Sequence, residues 1–112
     1  MAVDVTFYAI RIKGTDLFKG VQNNFVPFEQ AMHDGVYSNT FKTAEKKLKE
    51  YNSEYKGGTK AHPKGRYFCI FNESENKWEN FTCDYNSLEN TRINVNYMDI
   101  ELEIVELKMS IA

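Results

Sequence analysis

The densest run of chemistry-bearing residues is Lys56-Gly-Gly-Thr-Lys60-Ala-His62-Pro-Lys64-Gly-Arg66, with four permanent cations, one histidine and three glycines in eleven residues. Glycine lets backbone N–H groups approach a ligand closely, and Lys and Arg supply charge, so this segment has the means to wrap a phosphate or another anion. Its spacing is not that of a P-loop, and it follows a helical pattern where a P-loop would precede one. The plain alternative is a solvated connector, because surface loops are commonly rich in Gly and Lys.

A second candidate is the carboxylate row Asp99, Glu101 and Glu103. Such a row can mimic a phosphate backbone or meet a basic partner. It is also what the solvent face of a sheet looks like, or an edge strand protected by charge. The two candidates lie in oppositely charged parts of the chain. Residues 1–68 carry eleven Lys/Arg against seven Asp/Glu, and residues 69–112 carry three against nine. A formal total of −2 therefore conceals two regions that would steer different partners.

Catalytic groups are harder to assemble. Cys83 precedes Asp84, whose charge opposes thiolate formation, and neither cysteine has a histidine near it in sequence. His33 and His62 stand apart, and no Cys/His cluster has metal-ligand spacing. The carboxylate row lacks a second group across a cleft to make an acid–base pair. The reading is a non-enzyme with no metal and no cofactor. If the basic run binds nucleic acid, Lys56, Lys60, Lys64 and Arg66 meet phosphates while Tyr55 or Tyr67 stacks on bases, with Lys46, Lys47 and Lys49 extending the patch.

The elements that would position these groups follow from pattern. Residues 3–13 are apolar enough for a strand buried on both faces, and Gly14-Thr15-Asp16 turns the chain into a short second strand at Leu17-Phe18. Residues 22–35 read as a long loop with room for one helical turn at 27–32. A helix over 44–55 presents Ala44, Leu48, Tyr51 and Tyr55 along one face, with Thr43 as N-cap and Gly57-Gly58 as the stop. A hairpin centred on Asn76 would pair Phe71 with Phe81, Cys69 with Cys83 and Tyr67 with Tyr85, leaving two buried, reduced thiols on neighbouring strands. Residues 87–96 read as a polar loop. A closing strand over 97–111 changes phase after Ile104, which implies a bulge or a passage to a two-sided environment.

A length of 112 residues fits one domain, and an aromatic share of 14% with only two prolines argues for strands and against disorder. The fold class expected is α+β, order β-β-α-β-β-β: an antiparallel sheet of four to five strands with a single helix on one face. No apolar run reaches the roughly 20 residues a bilayer span requires, and Met1-Ala2-Val3-Asp4 does not open a signal peptide, so no membrane partner and a cytoplasmic location are expected.

The order Phe7-Tyr-Ala-Ile-Arg-Ile-Lys13, Leu17-Phe-Lys-Gly20, Phe41-Lys-Thr-Ala-Glu-Lys-Lys-Leu48 and a final Glu/Ile/Val strand resembles small accessory proteins of bacteriophages. Their pattern places a small alanine where Lys47 stands here. The resemblance implies a short phage gene product that binds and modulates a host macromolecule, a group that includes host-defence inhibitors of anti-CRISPR type. It carries over no site residues. The function expected is binding of a host protein, with a nucleic-acid-binding module as the alternative.

Overall fold

The computed structural model describes residues 3–85 and 94–111. The elements are β1 (Val3–Ile12), β2 (Leu17–Lys19), β3 (Asn24–Pro27), α1 (Phe28–Asp34), β4 (Tyr37–Ser38), α2 (Phe41–Lys56), β5 (Phe68–Asn72), β6 (Lys77–Thr82), β7 (Val95–Tyr97) and β8 (Leu102–Ile111). The class is α+β as expected, but the sheet has eight strands and there are two helices among the described residues. Half of the surplus, β3 and α1, comes from residues 22–35, expected as a loop. β4 is an added strand at Tyr37–Ser38, and β7 at Val95–Tyr97 forms where the polar loop was expected to end, so that the closing strand starts only at Leu102. Phe25 and Val26 are fully buried in β3, and Ala31 of α1 is buried behind them. Short apolar pieces such as these lack the length to show a period of their own.

β1 organises the sheet. One of its edges pairs antiparallel with β8 at ten positions, from Val3 opposite Ile111 to Ile12 opposite Leu102. Its other edge takes β2 at Arg11 and β4 at Tyr8 and Ala9. The sheet then continues through β3, β5, β6 and β7, with parallel pairings between β3 and β5 and between β6 and β7. β1 is indeed buried on both faces. Ile10 and Ile12 join a core with Phe25, Tyr55, Phe68, Ile100 and Leu102, whereas Ala9 joins a second core with Phe18, Val26 and Ala31. The helix α2 closes the first core and α1 the second.

The change of phase in β8 has the same origin. Its register with β1 runs unbroken, so no bulge is present. Leu102 belongs to the core under α2, whereas Val105 and Leu107 pack against the core under α1. The apolar side chains change face because the covering helix changes.

α2 presents the expected face. Ala44 and Tyr55 are fully buried, and Leu48 and Tyr51 lean on the first core. Its start lies three residues earlier than the pattern implied. Thr40, not Thr43, is the N-cap, and its Oγ1 accepts from the Thr43 N–H at 3.2 Å. Phe41 therefore sits in the first turn, edge-on to Tyr8. The helix ends where glycine permits it, at Gly57 with φ of 68°.

The β5–β6 hairpin has a different register from the one expected. Phe68 faces Phe81, Cys69 faces Asn80 and Phe71 faces Trp78. The turn occupies residues 73–76, where Asn72 Oδ1 accepts from the Glu75 N–H at 3.2 Å and the Ser74 hydroxyl at 2.7 Å, and Asn76 takes a φ of 52°. The arrangement buries Phe68 completely, against the rings of Phe25 and Tyr55 at 5.2 and 5.7 Å and of Phe81 at 5.9 Å. The cysteines consequently do not face each other, and both are half-buried free thiols. Cys69 Sγ donates to Asn80 Oδ1, and Cys83, one residue beyond β6, donates to the Tyr55 carbonyl. Tyr85 packs edge-on against Tyr97 instead of facing Tyr67. The loop expected over 87–96 lies, as far as residue 93, outside the described residues.

This register makes a direct prediction. Phe68→Ala removes a fully buried ring with three aromatic neighbours and should cost about 3–5 kcal/mol in urea unfolding. Phe71→Ala removes a half-buried ring against the exposed Trp78 and should cost less than half as much. The reverse order would support the alternative register.

Candidate protein-docking surface

The basic run is a folded connector. Past the end of α2, the Gly58 N–H donates to the Pro63 carbonyl and the Thr59 N–H to the His62 carbonyl. The His62 N–H donates to Thr59 Oγ1 at 2.9 Å, Gly65 N–H to Asp84 Oδ2 at 2.7 Å and Arg66 N–H to the Glu54 carbonyl at 2.8 Å. Its glycines serve approach of chain to chain. A Cβ on Gly57 would meet the Gly65 nitrogen at 2.5 Å, and one on Gly65 would meet the Tyr55 carbonyl oxygen at 2.4 Å. These backbone donors are therefore spent within the fold and do not line an anion cradle. The side chains are another matter. Lys56, Lys60, Lys64 and Arg66 are all exposed, with Arg66 Nη1 3.6 Å from Glu54, and His62 is half-buried.

The acidic row does not form one face. β8 begins at Leu102, so Asp99 and Glu101 lie ahead of it. Glu103 accepts from Arg11 Nε at 2.6 Å, its cross-strand partner, and Glu101 lies 3.9 Å from Lys13. Two of the three carboxylates are thus matched by cations, Arg11 of β1 and Lys13 just past its end, and Asp99 is exposed. Among the described residues, no group of three or more His, Cys, Asp or Glu has a metal-binding arrangement.

The groups whose acidity is shifted sit inside the fold. Burial pushes both thiols up, away from thiolate, and does the same to Tyr37, Tyr51 and Tyr55. Lys19 was not visible as special in the sequence. It is 4% exposed, on the α2 side of the sheet. Its Nζ donates to the carbonyls of Gly20, at 2.6 Å, and Gln22, and lies 5.1 Å from the centre of the Tyr51 ring. Burial brings its pKa down to about 8, with Glu54 opposing and Arg66 reinforcing the fall. A lysine so shifted has the acidity of a catalytic amine. Its covered position and its two carbonyl partners instead make it a brace for the turn between β2 and β3.

Surface chemistry of a different kind appears on the α1 side. Phe7 of β1, Phe28 and Met32 of α1, Tyr37 of β4, and Leu107 and Met109 of β8 line an apolar groove of about 250 Å³, with Lys108 at its rim. Met32 and Met109 are about half exposed, at 50% and 46%. The groove walls are held from behind. The Tyr37 hydroxyl donates to the Ala31 carbonyl, its ring lies 6.1 Å from that of Phe7, and Phe28 packs on Phe18 at 5.4 Å. Flexible, polarisable methionines on a rigid aromatic base are suited to an apolar protein surface. A larger cleft of about 480 Å³ between β6 and β7 is lined chiefly by polar side chains, Lys77, Glu79, Asn80 and Asn96 among them. The groove leaves little trace in the sequence because α1, at seven residues, is too short to show a helical period. The one available signal was Phe28 and Met32 at i, i+4 beside the odd-numbered apolar residues of β8.

Comparison of the chain with protein-family models, curated proteins and solved structures gives no match. No helix among the described residues is long and apolar enough to cross a membrane.

The Lys19 site predicts a pH dependence. A lysine with a folded pKa near 8 against an ordinary 10.5 binds fewer protons in the folded state than in the unfolded state between those values. Its penalty is complete below pH 8 and is relieved as pH rises towards 10.5. The stability of the wild type relative to Lys19→Met, measured by urea unfolding, should be level below this window and climb through it. A level difference throughout would refute the assignment.

Proposed function

We propose that the protein is a non-enzymatic binder of a host protein, of the kind that small phage accessory proteins provide, including inhibitors of host-defence complexes that handle nucleic acid. The observation that carries this reading is the apolar groove beside α1, where Met32 and Met109 stay half exposed over aromatic side chains packed from beneath. Buried aromatic and Met anchors supply most of the energy at protein interfaces, and surrounding charge mainly governs encounter. The exposed cations of residues 56–66 fit the second role.

Capture from a bacterial lysate by the tagged protein tests this. A specific partner should be retained by the wild type and lost with Met32→Glu, which places a carboxylate in the groove at a position tolerant of polarity. The expected loss of affinity is at least about tenfold, the scale of a hot-spot residue. Retention that is indifferent to Met32→Glu would remove the groove from the proposal.

The exposure of Lys56, Lys60, Lys64 and Arg66 on one short connector favours a second reading, binding of nucleic acid through that segment. Four phosphate contacts would weaken binding roughly a hundredfold between about 50 and 200 mM salt. The double reversal Lys60→Glu with Lys64→Glu should then abolish it, as read by fluorescence anisotropy of a labelled oligonucleotide. Binding that survives the reversal would rule out this surface.

A further inference from the structure

β8 offers a long open edge. It runs from Leu102 to Ile111, and its pairing with β1 occupies one edge at all ten positions. Among the described residues no strand pairs with the other edge. Proteins usually blunt such an edge with a bulge, a proline, a short strand or like charges that repel a second strand, because a free row of N–H and C=O groups templates further pairing. β8 has an unbroken register and no proline. Two exposed charges stand on it, Glu106 and Lys108, and neither forms an ion pair with a described residue.

We infer that this edge pairs with β8 of a second copy of the chain, antiparallel, about a two-fold axis at Leu107. The register follows from charge and symmetry. A two-fold axis that relates adjacent antiparallel strands stands perpendicular to the sheet, so one residue faces itself and its flanking residues pair crosswise on shared faces. Centring on Glu106 sets two carboxylates face to face, and centring on Lys108 sets two ammonium groups face to face. Centring on Val105 places Glu106 against Ile104 and Lys108 against Leu102. Centring on Leu107 places Glu106 against Lys108 twice and Val105 against Met109 twice, with residues 103–111 overlapping. This register alone combines opposite charges with apolar pairs.

The faces agree with this choice. A perpendicular axis keeps the α1 side of one copy level with the α1 side of the other. Val105, Leu107 and Met109 then meet their counterparts beside Phe7, which lies opposite Leu107 on β1. Met109, 46% exposed in the single chain, becomes covered. The inference rests on the strand edge and its charges. It draws Met109, and Lys108 at the groove's rim, into the seam and so shares part of the surface proposed above. The two are told apart by their readouts, assembly mass for Glu106 and Lys108 and partner capture for Met32 of α1.

Sedimentation equilibrium of the full chain tests it, from about 1 to about 100 µM. The wild type should reach twice the 13.1 kDa of one chain and stop there, because a two-fold contact closes. Glu106→Lys sets lysine against lysine and Lys108→Glu sets glutamate against glutamate, and each should weaken the dimer at least about tenfold. The double exchange E106K/K108E restores both opposite-charge pairs and should restore the dimer, which also shows that the single variants fold. A wild type monomeric throughout, assembly that continues past two copies, or a double exchange as weak as the single ones would each overturn the inference.

Discussion

The pairing of the first strand with the last is the constraint on which the rest depends. β1 and β8 are brought together across nearly the whole chain and paired at ten successive positions. Closing so long a loop is costly in entropy, and a ladder of this length, with apolar residues on both faces buried over Ala9–Ile12, is what offsets it. Once formed, the ladder supplies two apolar faces. α2 covers one and α1 the other, and the unbroken register decides which residues of β8 meet which helix.

The distal half of the sheet is fastened by aromatic contact. Tyr55, in the last turn of α2, touches Phe25 of β3 and Phe68 of β5, and Phe68 in turn stacks on Phe81 of β6. The polar bonds gather around the same place. The Tyr55 carbonyl accepts from Cys83, its hydroxyl donates to Asn23, and Glu54 holds the backbone of Arg66. The connector 57–67 is packed onto this junction, which is why its glycines are needed for closeness and its backbone donors are already satisfied. Lys19 belongs to the same neighbourhood. Its burial is tolerable because carbonyls and the Tyr51 ring replace the water it gave up.

Charged and apolar surface groups lie on the outside of this frame. The cations of 56–66 are exposed on a hydrogen-bonded connector, the carboxylates of Glu101 and Glu103 answer Lys13 and Arg11, and the apolar groove lies on the opposite face from α2. The cations of the connector and the apolar groove are thus on separate surfaces, with Lys108 at the groove's rim. Such a separation suits a protein that is steered by one surface and anchored by another.

The amino-acid sequence by itself determined the elements that carry a period or a stop signal. Ala44, Leu48, Tyr51 and Tyr55 define the face of α2 because 3.6-residue spacing leaves no other side to bury them, and Gly57 ends the helix because it alone takes positive φ cheaply. The apolar run of β1 announced two buried faces, and the change of phase in β8 announced a change of environment. Tertiary structure decided the rest. The hairpin register turns on whether Phe68 or Phe71 is buried, and only the presence of Tyr55 on α2 above the strand and Phe25 on β3 beside it settles that in favour of Phe68. β3 and α1 are too short to show periodicity; β3 exists because β2 and β5 flank it, and α1 because Phe18 of β2 and Val26 of β3 offer it a face to cover. The groove is assembled from β1, α1, β4 and β8, and the covered state of Lys19 from β2 and α2, so neither exists until the chain has brought distant segments together. Spacing reports what one segment must do, and long-range contact decides what several segments make between them.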